Sequence, residues 1–514
     1  MSTLVSNNRS EAGGESRVVN PWLIALTVIL PTTMELLDSS IANVSVPHIA
    51  HSLSAGIDQS TWILSSYLVS NAIVLPLTGW FSRLVGRKNY FIGCTLIFTV
   101  SSLLCGLATS LPMLVLFRII QGGGGGGLQP VSQGILVDTF PREKHGIAMA
   151  VYGMGAVSAP TLGPTIGGWI TDHYTWRWIF LINIPIGIIS ILLSSYLLSD
   201  PAHAAKEPGS RQRIDYIGLG LLSLGIGFAQ VVLDTGQRDN WFRSHFILLA
   251  TITACSALVG MVIWEFKVKN PIVELHLLLD RNFVVSTSMM FTLGFIMYST
   301  LVMLPIFLQT VMGFTAEQSG LVILPGGIVT MVMLPFVGRL LGKVQPKWLI
   351  MTGFTILAIG ILQLTRLKYG MGMRTPAGYW MISRLGTSCL WVPTNVMAFY
   401  YVPRTKTNQA TGLINLARNI GASMGISFMT TFLYSRAQHH LDLLSGYSTG
   451  VDLRHLAAVQ GHAQDFAYQG LQRQAMFLSF MDSFRVTAII AIAVIPLLFL
   501  AKEKPRATPA AIAS

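Results

Sequence analysis

The 514-residue chain is 52% hydrophobic and only 11% charged, against about 25% charged in soluble domains. That leaves too little polar surface to cover a water-soluble protein of this length. The net charge of +12 is spread over short loops between apolar runs, so it points to membrane sidedness and away from nucleic acid.

The opening residues are polar and no cleavage site follows the first apolar run, so the run from Trp22 reads as a retained helix and not a signal peptide. Fourteen apolar windows follow, at 22–44, 60–80, 90–108, 112–138, 145–168, 178–199, 215–234, 246–265, 284–308, 317–339, 348–365, 378–402, 411–435 and 476–500. Many reach the roughly 20 residues that span a bilayer. The fold class is therefore an all-α polytopic membrane protein. Alternate loops carry the basic residues: Arg83, Arg87 and Lys88, then Arg142 and Lys144, Lys206 to Arg213, Lys267 to Arg281, Arg339 to Lys347, Arg404 and Lys406, and the tail from Lys502. The opposite loops carry fewer, so both termini are expected in the cytoplasm. The long polar segment 436–475 then lies outside, partly helical and too small for a domain of its own. The cysteines Cys94, Cys105, Cys255 and Cys389 all sit inside apolar runs and read as small hydrophobic residues, with no metal or disulfide role.

The first span holds Glu35 and Asp38, three residues apart and so on one helical face. Two readings fit. Close carboxylates in a poorly solvated cavity tend to retain a proton, which suits proton binding and release; alternatively, one is a structural acid paired to a cation and the other lines water. Arg118 in the fourth span is the natural partner. Arg384 and Arg418 lie in the twelfth and thirteenth spans, and Arg418 is the deeper. Asp482, early in the last span, either joins a coupling path or is simply solvated at the outer surface.

Six glycines, Gly122 to Gly127, follow Arg118 and Gln121. No Lys-Ser/Thr pair follows them, so they are not a nucleotide loop. They read as bare helix backbone for close approach in the membrane, though the run is longer than close packing requires, with local unwinding at a cavity as the other reading. The fifth span carries Gly155, Pro160, Gly163, Pro164, Gly167 and Gly168, a small-residue face for tight static packing or for a sliding contact between moving halves. A faint internal echo, PLTG from Pro76 and PFVG from Pro335, each entering a basic loop, suggests a duplicated build.

Taken in order, these motifs resemble the major facilitator superfamily, its fourteen-helix drug:proton antiporter branch, and within it the EmrB-type multidrug exporters of Gram-negative inner membranes. The resemblance is carried by Leu37 to Val44 with Asn43 and Pro47, by Gly79, Gly86, Arg87 and Lys88 in GWFSRLVGRK, by Arg118, Gln121 and Gly122, by Gly155 to Gly168, and by Trp176 to Phe180 with Asn183, Pro185 and Gly187. Arg83 stands where the general superfamily loop has an acid. The resemblance implies a cytoplasmic tail 1–21, a six-helix bundle 22–199, a linker 200–214, an inserted helix pair 215–265, a second six-helix bundle 284–502 and a tail 503–514. It further implies proton-coupled export of amphipathic small molecules by alternating access, with no cofactor beyond the proton gradient. A periplasmic adaptor and an outer-membrane channel are the implied partners. On this reading Asp38 is the proton carrier with Arg118, Glu35 extends recognition towards cations, and Asp482 is a further coupling candidate. Gln121, Gly122, Gly124, Asn43 and Arg418 join the fifth-span residues around the cavity or its gate. A dedicated exporter of one metabolite, fatty acid or siderophore is the alternative. An ATP-driven pump lacks a nucleotide loop, and an enzyme lacks a converging His, Cys or Ser constellation.

Overall fold

A computed structural model describes residues 20–55, 60, 62–141, 144–199, 215–236, 239, 241–268, 273–400, 402–403, 406–448 and 462–502. The expected tails, the linker 200–214 and loop residues such as Arg142 and Arg404 lie outside them.

Helix α1 (Pro21–Ser52) starts where Asn20 accepts the Trp22 amide at 2.9 Å and Pro21 occupies the first turn, a position at which a missing N–H costs nothing. It is followed by α2 (Trp62–Val85), α3 (Arg87–Leu107), α4 (Leu111–Gly125), α5 (Leu128–Thr139), α6 (His145–His173), α7 (Trp178–Leu181) and α8 (Asn183–Leu197). These eight pack as one bundle. A second bundle comprises α11 (Arg281–Ile306), α12 (Ala316–Leu340), α13 (Pro346–Leu364), α14 (Arg374–Ala398), α15 (Thr407–Ser448) and α16 (His462–Ala493). Between them in sequence, α9 (Tyr216–Thr235) and α10 (His245–Glu265) pair with each other, and α9 lies against both α2 and α15.

Among the described residues, ten spans are long and apolar enough to cross a bilayer by composition alone. The rods at 111–139, 145–173, 374–398 and 407–448 fall outside that set, and they are the ones that carry Arg118, the Gly/Pro series, Arg384 and Arg418. Their polarity is spent inside the protein.

Two expectations change. The thirteenth span does not stop at 435: α15 runs 42 residues to Ser448, about 63 Å of helix against a hydrocarbon core of about 30 Å. The segment 436–475 is thus largely the continuation of α15 and α16 where it is described. The fourth span is broken into α4 and α5 by a turn at Gly126 and Gly127.

That glycine run packs on two neighbours at once. A Cβ on Gly122 would run into the Tyr67 carbonyl, and one on Gly126 would stand 2.7 Å from the Asn71 carbonyl, both in α2. A Cβ on Gly124 would stand 2.8 Å from the Phe98 nitrogen and 2.9 Å from the Cys94 carbonyl, both in α3, and one on Gly127 would meet Tyr90. Two close faces explain a run that one face would not need. These contacts lie inside the first bundle, so the reading of Gly122 and Gly124 as cavity or gating positions is corrected to packing. Gly124→Leu is expected to empty the membrane fraction of protein, since forcing α3 from α4 costs about 3 kcal/mol or more. Immunoblotting of isolated membranes reads this, and normal abundance with lost transport would restore the gating role.

The sequence echo has a structural counterpart. Gly79, ending PLTG, is overlaid by Gln409 at the start of α15, and a Cβ on Gly338, ending PFVG, would stand 2.7 Å from the Gly146 carbonyl at the start of α6. The second helix of each bundle therefore abuts the fifth rod of the other. Both contacts sit at the ends that enter the basic loops.

Candidate functional site

The two acids of α1 lie one turn apart, yet each is held by its own set of partners. Asp38 is buried. Its Oδ2 accepts Arg118 NH1 at 2.6 Å, and its Oδ1 accepts Asn183 Nδ2 at 2.7 Å and Gln121 Nε2 at 3.2 Å. Arg118 is fully buried as well. Its NH1 also reaches Gln121 Oε1 at 2.7 Å, its Nε donates to the Ile63 carbonyl at 3.1 Å, and its guanidinium stacks 4.2 Å from the Tyr67 ring centre. Ser102 Oγ accepts from both Gln121 and Asn183. One carboxylate thus ties α1 to α4, α8 and, through Ser102, α3. A buried ion pair of this kind is weak as a source of net stability, but removing one partner leaves the other stranded. The charge on Asp38 is thus coupled to the packing of these helices.

Among the described residues no cation pairs directly with Glu35. Its Oε1 accepts Tyr67 OH at 2.8 Å and Asn71 Nδ2 at 3.3 Å, and its Oε2 accepts Gln129 Nε2 at 2.9 Å. The Gln129 oxygen in turn accepts Arg418 NH2 at 2.6 Å. Arg418 belongs to α15, so this chain of three residues crosses from one bundle to the other. Gly125 makes room for it, because a Cβ there would stand 2.8 Å from Tyr67 OH and 3.3 Å from the Glu35 side chain.

Arg418 lines a cavity between the bundles, with Leu36, Pro160, Tyr298, Ile323, Thr330, Trp380, Arg384, Thr387 and Trp391 among its walls. Towards the basic loops the bundles are in backbone contact through Gly146 and Gly338. Towards the other ends of α6 and α12, a Cβ on Gly168 or Gly320 would meet nothing within 4 Å. The seam is shut on the basic-loop side.

Of the residues expected at the cavity, Pro160 and Arg418 are there. Gln121 belongs instead to the Asp38 cluster. Gly155 and Gly163 pack on Thr33 and Ser40 of α1, within their own bundle, which favours static packing there; the glycines that meet the other bundle include Gly79, Gly146, Gly338 and Gly412. Pro164 lacks the N–H that would cap the Pro160 carbonyl, and Ser40 Oγ donates to that carbonyl at 3.3 Å. The side chains of Asn43, Arg83 and Pro164 lie outside the described residues. Glu35 does not face the cavity, because Gln129 and Arg418 stand between, and direct cation recognition by its carboxylate is corrected accordingly. Asp482 is corrected too. It accepts Arg436 at 2.7 Å, His440 at 2.9 Å and Arg485 at 3.2 Å where α15 meets α16, and it shares no partner with either acid of α1. In the loop motif, Gly86 takes φ 88°, a left-handed turn suited to glycine; Arg87 pairs with Asp138 at 2.6 Å, and Lys88 donates to the Ser195 carbonyl at 2.7 Å.

Sequence reasoning missed Tyr67, Asn71, Ser102 and Gln129. Asn71 and Gln129 were legible as uncharged polar residues inside apolar runs. Tyr67 and Ser102 carry no such signal.

The sequence pattern of the Major Facilitator Superfamily matches residues 29–426. The chain belongs to this superfamily. The transporter is 34% identical over 492 residues to the multidrug export protein EmrB of Escherichia coli, covering 93% of this chain and 95% of that one. It is 37% identical over 424 residues to EmrB of Haemophilus influenzae, covering 82% of each. It is also 34% identical over 490 residues to the fatty acid resistance protein FarB of Neisseria gonorrhoeae, covering 93% of this chain and 96% of that one. The proton:xylose symporter XylE superposes with a TM-score of 0.61 at 13% identity over 94% of this chain and 96% of that one. The human organic anion transporter MFSD10 gives 0.60 at 13% identity over 93% and 100%; at this identity both speak for the fold alone. The transporter is a multi-pass inner-membrane protein and a secondary transporter, not an enzyme.

Proposed function

We propose that the transporter is a proton-coupled multidrug efflux protein that exports amphipathic compounds by alternating access. The observation that carries this reading is the joining of an aromatic-walled cavity at the bundle seam to a carboxylate, Glu35, through Gln129 and Arg418, with the Asp38–Arg118 pair one turn away. Protonation of Asp38 from the outer side removes the charge that holds Arg118, Gln121 and Asn183, and loosens α1 against α4 and α8. Deprotonation towards the cytoplasm restores the clamp. Because α1 also lines the cavity through Leu36, the same movement alters the walls that hold cargo. The gradient supplies the work and no cofactor is required.

Both termini are placed in the cytoplasm on the strength of the basic-loop bias, which makes the shut seam the inner one. The projecting α15–α16 hairpin is then periplasmic. The resemblance to EmrB-type pumps supports a periplasmic adaptor and an outer-membrane channel as partners. A dedicated fatty-acid exporter is the second reading, favoured by the likeness to FarB.

Expression in an efflux-deficient bacterium tests the function. Cells carrying the gene are expected to accumulate less of several unrelated amphipathic dyes, and a protonophore should erase the difference. Unchanged accumulation for every compound, with the protein present in the membrane, would remove the multidrug reading.

A further inference from the structure

The cavity holds a cation, Arg384, that no acidic group among the described residues neutralises. Arg384 makes no side-chain hydrogen bond or ion pair with any described residue; its guanidinium lies 4.0 Å from the Trp380 ring centre and opens into the cavity. Trp380 is itself fixed, donating from Nε1 to the Ile323 carbonyl at 3.2 Å and seated against Gly326, where any side chain would collide with it. Trp380, Arg384, Thr387 and Trp391 recur at helical spacing, so α14 turns one face to the cavity. Across that space is Arg418, whose single hydrogen-bond partner among the described residues is the neutral Gln129 and whose nearest ring is Trp391 at 5.3 Å. Among the described lining residues there is no Asp or Glu.

An arginine keeps its charge, and an uncompensated charge inside a membrane is costly. Stacking on Trp380 offsets part of that cost but leaves the planar donors unused. Those donors match a carboxylate or a similar oxyanion, which a guanidinium binds bidentately. The surrounding Leu301, Ile323 and Trp391 provide an apolar wall.

We propose that the cargo is an amphipathic organic anion whose charged head pairs with Arg384 while its apolar body lies against Trp380 and Trp391. This names the substrate class of the site described above and rests on the efflux reading. Anion export has the further consequence of moving negative charge outwards, in the direction favoured by an inside-negative potential.

Three probes of one size test it: 2-naphthoate, 2-naphthylmethylammonium and 2-naphthylmethanol, with equilibrium binding to the full chain in phosphatidylcholine nanodiscs. Naphthoate is expected to bind about 10-fold more tightly than the ammonium probe, the scale of one charge-assisted pair. Arg384→Gln should lower naphthoate affinity by about 10-fold and leave the neutral alcohol within about twofold, and Arg384→Lys should retain much of the preference because the charge remains. Equal binding of anion and cation, or an Arg384→Gln variant that binds naphthoate as the parent does, would overturn the proposal. So would loss of naphthoate binding on adding phosphatidylglycerol, which would assign the guanidinium to a lipid headgroup. If Arg384→Gln does not reach the membrane, the parent's ranking of the three probes and the Lys variant decide the matter. Transport is read separately in proteoliposomes. Naphthoate binding without pH-driven movement of any probe would sink the efflux reading and leave the anion site, whereas pH-driven export of the ammonium probe without naphthoate binding would do the reverse.

Discussion

Asp38→Asn is expected to abolish export against a gradient when a pH difference is imposed. The substitution keeps the size of the side chain but cannot exchange a proton, and it turns an NH2 group towards Arg118 or towards the donors on Gln121 and Asn183. Arg118 is then a buried cation without a counter-charge, which costs about 3–5 kcal/mol, so membrane abundance should fall as well. The double variant Asp38→Asn with Arg118→Gln separates the two effects. It removes the stranded charge, so abundance is expected to recover while uphill export stays absent. Recovery of both would show that the pair is structural. Glu35→Gln should be milder, because its described partners Tyr67, Asn71 and Gln129 are all neutral donors. Retained uphill export with proton counterflow in Asp38→Asn would move the carrier role to Glu35.

The seam between bundles gives the second large effect. Gly338→Val places a branched side chain where a single Cβ already stands 2.7 Å from the Gly146 carbonyl and 2.9 Å from the Ala150 Cβ. Overpacking of this order costs about 2 kcal/mol, and it falls only on the conformation in which the seam is shut. A differential of about 2 kcal/mol shifts the balance of two states about 30-fold. The variant is expected to reach the membrane at near-parental level, to expose the basic-loop side of the cavity to thiol reagents at an introduced cysteine, and to lose most export. Gly124→Leu, buried within one bundle, should fail at folding instead. If Gly338→Val exports normally, the Gly146–Gly338 contact is no part of the moving seam.

The contrast between these glycines shows what the sequence could and could not convey. Rare charges in apolar runs are costly wherever they lie, and so Asp38, Arg118 and Arg418 stood out, and the order of motifs brought Gln121 and Asn183 with them. Their grouping was legible because each is anomalous alone. The cavity was not, since its walls are drawn from helices far apart in sequence, and its Leu, Ile and Trp residues are indistinguishable by composition from lipid-facing ones. Asp482 looked like the other intramembrane acids until α15 proved long enough to bring Arg436 and His440 to it. Small residues announce close contact without naming the neighbour, and the neighbour decides whether a glycine serves packing, as Gly124 does against α3, or the seam, as Gly338 does against α6.

On the proposed mechanism, proton entry and cargo exit are one event governed by the α1 acids. Simultaneous recording of cargo movement and internal pH in proteoliposomes containing the parent chain tests it most directly. With a pH gradient imposed and no other energy source, cargo is expected to move uphill in step with proton counterflow, and the counterflow should stop when cargo is withheld. Cargo movement that only runs downhill, or that proceeds with no accompanying change in internal pH, would contradict the account.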